Sequence, residues 1–183
     1  MESSVILCGS GGQGIQLAGT LLATAAVNEG KNVTWLPSYG AEKRGGLSYC
    51  AIVISDENIL SPVIAKADTV IILDVIGFNA YKNNITEKGL FIINSSLVND
   101  ISGLKGNKKI YLPLNGLAKE AGNFRIANMA ALGVYSAVTN AVKINSIIKA
   151  LDETISVRHR DLLPINIKAL ESGYKEGVNN VGI

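Results

Sequence analysis

Apolar and polar positions along the chain follow two alternating periods. Residues 5–8 form a short apolar run that ends in glycine. In Ile15–Asn28, the residues Ile15, Leu17, Ala18, Leu21, Leu22, Ala25 and Ala26 leave little polar circumference, which predicts a helix buried over much of its surface. Glu29-Gly30 stops it, and residues 32–36 read as a second strand. Two strands joined through a helix in this way are expected to run parallel. Residues 38–46 are rich in glycine and charge and read as a loop, followed by a third strand over Leu47–Ser55. Ser61-Pro62 is expected to open a short helix reaching about residue 66. Residues 69–74 contain four consecutive aliphatics, Val70 to Leu73, and predict a buried strand with Asp74 at its carboxyl end. Residues 90–94 and 109–112 read as further strands, with Pro113 opening a helix. Helices are expected over residues 127–142, 144–155 and 162–177.

Strands alternating with helices point to an α/β domain, a three-layer Rossmann-like arrangement with a mostly parallel sheet and helices on both faces. The pattern runs through residues 1–183 without repeat, linker or low-complexity segment, so one domain is expected. Composition adds constraints. Apolar residues make up 48% and charged residues 17%, with a mean hydropathy of +0.27. The most apolar stretches, residues 69–78 and 129–142, contain Asp74 and Asn140 and fall short of the roughly 20 residues a membrane-spanning helix needs. We therefore expect no membrane association, and some of the apolar surface is expected to lie against partner proteins. A net charge of +2 gives no basic face for nucleic acid. Cys8 and Cys50 are too few and too far apart for a metal or cluster framework, and strand-like surroundings predict buried free thiols. The N-terminus lacks a basic segment and cleavage site, which predicts a cytoplasmic location.

Two loops carry the candidate chemistry. Gly9-Ser10-Gly11-Gly12-Gln13-Gly14 follows a strand and precedes a helix, a spacing that lets backbone approach a phosphate at a helix N-terminus. A nicotinamide dinucleotide also needs an acid about 20 residues further on for its ribose. The corresponding stretch, Thr34-Trp35-Leu36-Pro37-Ser38, has none. Two readings stay open: glycines for a tight turn and close helix packing, or a site for some other anion. The second loop, Tyr39-Gly40-Ala41-Glu42-Lys43-Arg44-Gly45-Gly46, sets an aromatic, an acid and two bases among glycines. In an open parallel sheet it is expected beside the first loop, where Arg44 has the planar fork to grip a phosphate or carboxylate. Glu42 could orient Arg44, and Tyr39 could stack or donate a hydrogen bond; a solvated turn is the plain alternative.

The two loops, with ISDENILSP at residues 54–62 and ANMAALG at residues 127–133, resemble the gamma family of 2-oxoacid:ferredoxin oxidoreductases over essentially the whole chain. Ser10 and the tyrosine-led loop ending in Arg44-Gly45-Gly46 are most similar to the 2-oxoglutarate branch. The resemblance implies oxidative decarboxylation of a 2-oxoacid to its acyl-CoA, with electrons passed to ferredoxin. It implies thiamine diphosphate and magnesium on alpha and beta partner subunits, iron–sulfur clusters on beta and delta subunits, and no activity from this chain alone. The gamma chain's implied part is closure over the active site, access of coenzyme A and assembly. Gly9, Gly11, Gly12, Gln13, Gly14, Tyr39, Glu42, Arg44, Gly45 and Gly46 are then the expected ligand-facing residues, with no catalytic residue and no metal ligand. The competing readings are a free-standing dinucleotide-binding reductase and a purely structural assembly module. Among weaker candidates, His159 is expected at an exposed helix entry, Asp74 either faces the crevice or caps a helix, and Asn128 is expected to satisfy backbone near the glycine loop.

Overall fold

In the computed structural model, which describes residues 2–39, 45–104 and 108–180, six strands form a single sheet in the order β2-β3-β1-β4-β5-β6. The strands are β1 Glu2–Ser10, β2 Asn32–Tyr39, β3 Leu47–Ser55, β4 Ala67–Ile72, β5 Ile85–Asn94 and β6 Lys108–Leu112. The helices are α1 Ile15–Asn28, α2 Val75–Tyr81, α3 Leu114–Ala121, α4 Ala127–Thr139, α5 Ile144–Thr154 and α6 Leu163–Asn180. Strands β1, β4, β5 and β6 pair in parallel, which bears out the mostly parallel α/β sheet.

The central strands read as continuous apolar runs because both sides of each are covered, and a strand's side chains alternate between faces. Val5 and Leu7 of β1, Ile71 of β4 and Ile92 of β5 point into one core, shared with α1, α3, α4, α5 and α6. Ile6, Cys8, Val70, Ile72, Phe91 and Ile93 point into a second, covered by Phe78 of α2 and by Val98 and Leu104. The two faces are thus unequally dressed.

On the thicker side, α4 lies between the sheet and α6, with every residue from Ala127 to Ser136 buried. The contact brings backbone onto backbone: a Cβ on Gly133 would strike the Leu170 carbonyl oxygen, and one on Gly173 the Ala130 carbonyl oxygen. Helix α4 stops at Asn140, which takes the left-handed conformation (φ 51°) rather than continuing to residue 142, while the Ser136 hydroxyl donates to the Val142 carbonyl at 2.8 Å.

Two expectations are corrected. The segment after β3 forms no helix at residues 61–66. There the Ser61 hydroxyl accepts from the Val63 N–H at 3.2 Å, and Leu60 and Val63 are left exposed. A helix so short has no apolar face to offset its nucleation cost, so the local side-chain bond wins. The second correction is in the sheet. Strands β1 and β2 do point the same way, but β3 is inserted between them, antiparallel to both, with Ser10 opposite Leu47 and Tyr39 opposite Ser48. Ser38 and Tyr39, expected in a loop, therefore belong to β2.

The helix contact gives a stability prediction. Gly133→Ala and Gly173→Ala should each destabilise by about 1–3 kcal/mol, since overpacked backbone has no side chain to swing aside. Gly103→Ala, where an added Cβ meets nothing within 4 Å, should stay within about 0.5 kcal/mol. Urea denaturation of the three variants checks both.

Candidate functional site

Helix α1, which follows β1, packs on one face of the sheet, and α2, which follows β4, packs on the other. The carboxyl ends of these neighbouring strands therefore form a topological switch point, where open α/β sheets bind ligands. The glycine loop lies there. Gly12 (φ 99°) and Gly14 (φ 71°) adopt backbone conformations that side chains resist. The Gln13 side chain folds back over Gly9, its Oε1 accepting from the Ser10 N–H at 2.9 Å, in space that a Cβ on Gly9 would fill. Asn128, buried at the start of α4, donates through Nδ2 to the Gly14 carbonyl at 3.0 Å, the backbone-satisfying role expected of it. A Cβ on Gly14 would come within 2.5 Å of that Nδ2.

Asp74 combines both roles read for it. Its Oδ1 caps α2 by accepting from the N–H groups of Ile76 and Gly77, each at 3.0 Å, and its Oδ2 accepts from the Ser10 hydroxyl in the glycine loop. Gly77 lets α2 rest directly on β1, since a Cβ there would lie 2.8 Å from the Cys8 carbonyl carbon.

The inserted strand brings the second loop to the first. The Gly11 N–H donates to the Gly46 carbonyl at 2.8 Å, and Gly45 (φ 97°) is exposed beside it. Gln16 of α1 ties down the base of the β2–β3 hairpin, donating to the carbonyls of Ser38 (3.2 Å) and Tyr49 (2.9 Å). Of the sequence candidates, Gly9, Gly11, Gly12, Gln13, Gly14, Gly45 and Gly46 are thus gathered at one end of the sheet, where the backbone of Tyr39 also ends β2. Glu42 and Arg44 lie outside the described residues. His159 is on an exposed turn ahead of α6, the position expected of it.

On the other side of the glycine loop, Gly12, Gln13 and Leu73 face Asn94, Asn115, Phe124 and Arg125 across a crevice of about 410 Å³. The sequence pattern did not single out Gln16, Asn94, Asn115, Phe124 or Arg125. The one available signal was Asn94, a polar residue closing an apolar strand as Asp74 does. A larger groove, about 700 Å³, lies at the amino end of β1 between the sheet and the arm carrying Leu60 and Val63, remote from both glycine loops.

Both cysteines are buried free thiols. Cys8 Sγ donates to the Ile71 carbonyl at 3.4 Å, and burial, with Asp74 nearby, raises its pKa well above the usual thiol range. Burial likewise pushes the Cys50 thiol up to about 12, against the opposing effect of the Trp35 N–H.

A small α/β domain with a glycine loop at its switch point and a second glycine-bearing loop hydrogen-bonded to it is the class this site defines. Residues 4–176 match the family model described as pyruvate ferredoxin/flavodoxin oxidoreductase, and the chain belongs to that family. It is 33% identical over 178 residues to the 2-oxoglutarate synthase subunit KorC of Methanocaldococcus jannaschii, covering 96% of this chain and 94% of that one. It is 34% identical over 173 residues to the ketoisovalerate oxidoreductase subunit VorA of Methanothermobacter marburgensis, but the 94% of the chain that matches spans only 36% of that protein. The gamma subunit of a keto/oxoacid ferredoxin oxidoreductase from Geobacter sulfurreducens superposes with a TM-score of 0.83 at 27% identity, covering 97% of this chain and 99% of that one. A 2-oxoglutarate:ferredoxin oxidoreductase from Magnetococcus marinus shares the fold over 31% of its chain, with 96% of this one covered, at a TM-score of 0.87 and 22% identity.

The buried thiols predict that a disulfide reagent such as Ellman's reagent modifies neither cysteine of the native chain at pH 8 and both in denaturant. Raised folded-state values also fix a sign. The stability contributed by Cys50 is fully present below the ordinary value of 9.0 and is lost as pH rises through about 12. Thermal melts across that alkaline range should show a falling midpoint that Cys50→Ala reduces in slope.

Proposed function

We propose that this chain is the gamma subunit of a cytoplasmic 2-oxoacid:ferredoxin oxidoreductase acting on 2-oxoglutarate, and that its two loops position coenzyme A. The observation that carries this reading is the Gly11–Gly46 hydrogen bond, which joins the two loops into one surface at the switch point and so supports their facing a common ligand. The match to 94% of a KorC subunit at 33% identity supports a 2-oxoacid substrate, and Ser10 with the tyrosine-led loop supports 2-oxoglutarate among them. The Magnetococcus enzyme of the same fold, described with 2-oxoglutarate, coenzyme A and succinyl-CoA bound, supports the acyl acceptor. In this reading thiamine diphosphate and magnesium on alpha and beta partners carry the decarboxylation, and clusters on beta and delta subunits relay electrons to ferredoxin. This chain contributes exposed glycine backbone at Gly12 and Gly45 toward phosphate, and a cation, Arg44, from the segment between β2 and β3.

A free-standing dinucleotide-binding reductase is disfavoured by the sheet. Strand β3 occupies the place beside β1 where the ribose-binding strand would lie, and the stretch at residues 34–38 has no acid. Micromolar binding of NADH in calorimetry would reverse this preference. An assembly module without ligand contact is the remaining reading, and Arg44 separates it from ours. Losing a charge-assisted contact costs about 1.5–3 kcal/mol, so in the reconstituted complex Arg44→Ala should weaken the apparent affinity for coenzyme A roughly tenfold to a hundredfold. Arg44→Lys should recover part of this, since an ammonium lacks the fork. An Arg44→Ala complex that dissociates on gel filtration, while its intact fraction keeps normal coenzyme A dependence, would assign the loop to assembly instead.

A further inference from the structure

Between β3 and β4 the chain makes an arm that the function proposed above does not use. Leu60 is 98% exposed and Val63 74%, two aliphatic side chains standing in water on an irregular segment. The arm is nevertheless fixed at both ends. At its start the Glu57 N–H donates to the Ser55 hydroxyl at 3.0 Å. At its return Ile64 packs against the second core, and Asn84 donates through Nδ2 to the Ala65 carbonyl at 3.3 Å. Pro62, between the two exposed aliphatics, restricts the backbone further. Among the described residues no backbone hydrogen bond reaches Asn58, Ile59 or Leu60. Single apolar residues scattered over a surface are ordinary. A tethered pair that lines one groove, on backbone with open hydrogen-bonding groups, has instead the form of an anchor for another protein. Much of the arm's freedom is lost before binding, which lowers the cost of docking.

The groove of about 700 Å³ beside the arm has Ser4 of β1 and its β3 partner Val53 in its lining. Glu2 and Glu57 line it too, and neither pairs with a cation among the described residues. Against the one base, Lys66, the described lining carries an excess of acid. Both ends of the domain come out at this end of the sheet. Glu2 begins β1 at the groove. Helix α4 runs from Asn128, bonded to the glycine loop, to Asn140, which shares a small cavity with Ser3 at the amino end of β1. Helix α6 runs parallel to it, with Gly173 against Ala130 and Gly177 against Val134 and Ala137, and so ends over the same edge. In VorA relatives from two Methanothermobacter species the matching domain makes up 36% and 37% of a longer chain. The remainder of such a chain is joined to the domain through one or both of these ends, and therefore starts near the groove.

We infer that the arm over residues 56–66 docks on the partner chain that takes the place of that remainder, with Leu60 and Val63 entering an apolar pocket and Glu2 and Glu57 facing basic side chains at its rim. The inference rests on the function proposed above only in taking that partner to be a thiamine-diphosphate subunit of the same oxidoreductase. A second copy of this chain is the weaker occupant, because a two-fold contact sets the acids of one arm against the acids of the other.

The test is association of the full chain with separately purified alpha and beta subunits, read by calorimetry and by gel filtration with light scattering. The double variant Leu60→Asp, Val63→Asp should weaken association about tenfold or more. It should leave the melting temperature of the isolated chain unchanged, since both side chains are already in water. Glu57→Lys should weaken association by a smaller factor, and its loss should shrink as salt is raised. Val157→Asp places the same charge at a residue 92% exposed on the turn ahead of α6 and should change nothing. Complex driven together at high subunit concentration should keep its KM for coenzyme A in the double variant, which separates docking from ligand contact. A double variant that associates as tightly as the wild type overturns the arm and leaves the proposed function standing. A wild-type chain that self-associates, becomes monomeric in the double variant and joins the other subunits equally well in both forms assigns the arm to a second copy and overturns the inference. A wild-type chain with no affinity for those subunits overturns both the docking and the proposed function.

Discussion

The structure depends on how closely neighbouring segments approach one another at the carboxyl end of β1. Three segments crowd that point: the glycine loop entering α1, the start of α2, and the amino end of α4. Gly9 leaves room for the folded-back Gln13, Gly14 for the amide of Asn128, and Gly77 for α2 to lie on the Cys8–Gly9 peptide. A methyl group at Gly77 would push α2 away from the sheet, and one at Gly9 or Gly14 would displace the Gln13 or Asn128 side chain from its hydrogen bond. The packing of the domain and the shape of the crevice therefore follow from the same constraint, and the glycines have a structural role whatever ligand they meet.

Around that point the polar groups are almost all committed to one another. Ser10 gives its hydroxyl to Asp74, Asp74 caps α2, Gln13 holds the Ser10 amide, and Asn128 holds the Gly14 carbonyl. None of these side chains is a free acid or base placed for proton transfer. Among the described residues, what faces solvent there is glycine backbone on both loops and the Phe124–Arg125 rim. On the reading proposed above, a subunit that orients a substrate for cofactors carried by other chains needs that and no nucleophile.

The inserted strand separates this domain from a dinucleotide-binding one built on the same opening motif. Strand, glycine loop and helix are common to both. In a dinucleotide site the second parallel strand lies next to the first and offers an acid to the ribose. Here β3 takes that neighbouring place, and the Gly45–Gly46 segment that leads into it is delivered beside the glycine loop. The result is two glycine-bearing loops in contact, one with charge in its sequence, where the other fold would have one loop and an acidic strand end.

The sequence by itself determined the strands buried on both faces, the buried helices and the identity of both glycine loops. The run Val70-Ile71-Ile72-Leu73 is legible as a central strand because double-sided burial leaves no polar position in it. The role of Asn128 was legible too, since an amide at the start of an otherwise apolar helix has to find a backbone partner. Tertiary structure alone decided the rest. The short helix expected after Ser61 did not form: Leu60 and Val63 stay in water and Ile64 reaches the second core from an irregular segment, which local sequence does not report. The insertion of β3 is a matter of pairing between distant segments, and an antiparallel strand buried on both faces reads the same in sequence as a parallel one. The hydrogen bonds from Asn94 to Asn115 and from Asn115 to the Phe124 carbonyl join residues from β5, α3 and the turn before α4, each unremarkable in its own segment. They meet only when the sheet brings the carboxyl ends of its strands together.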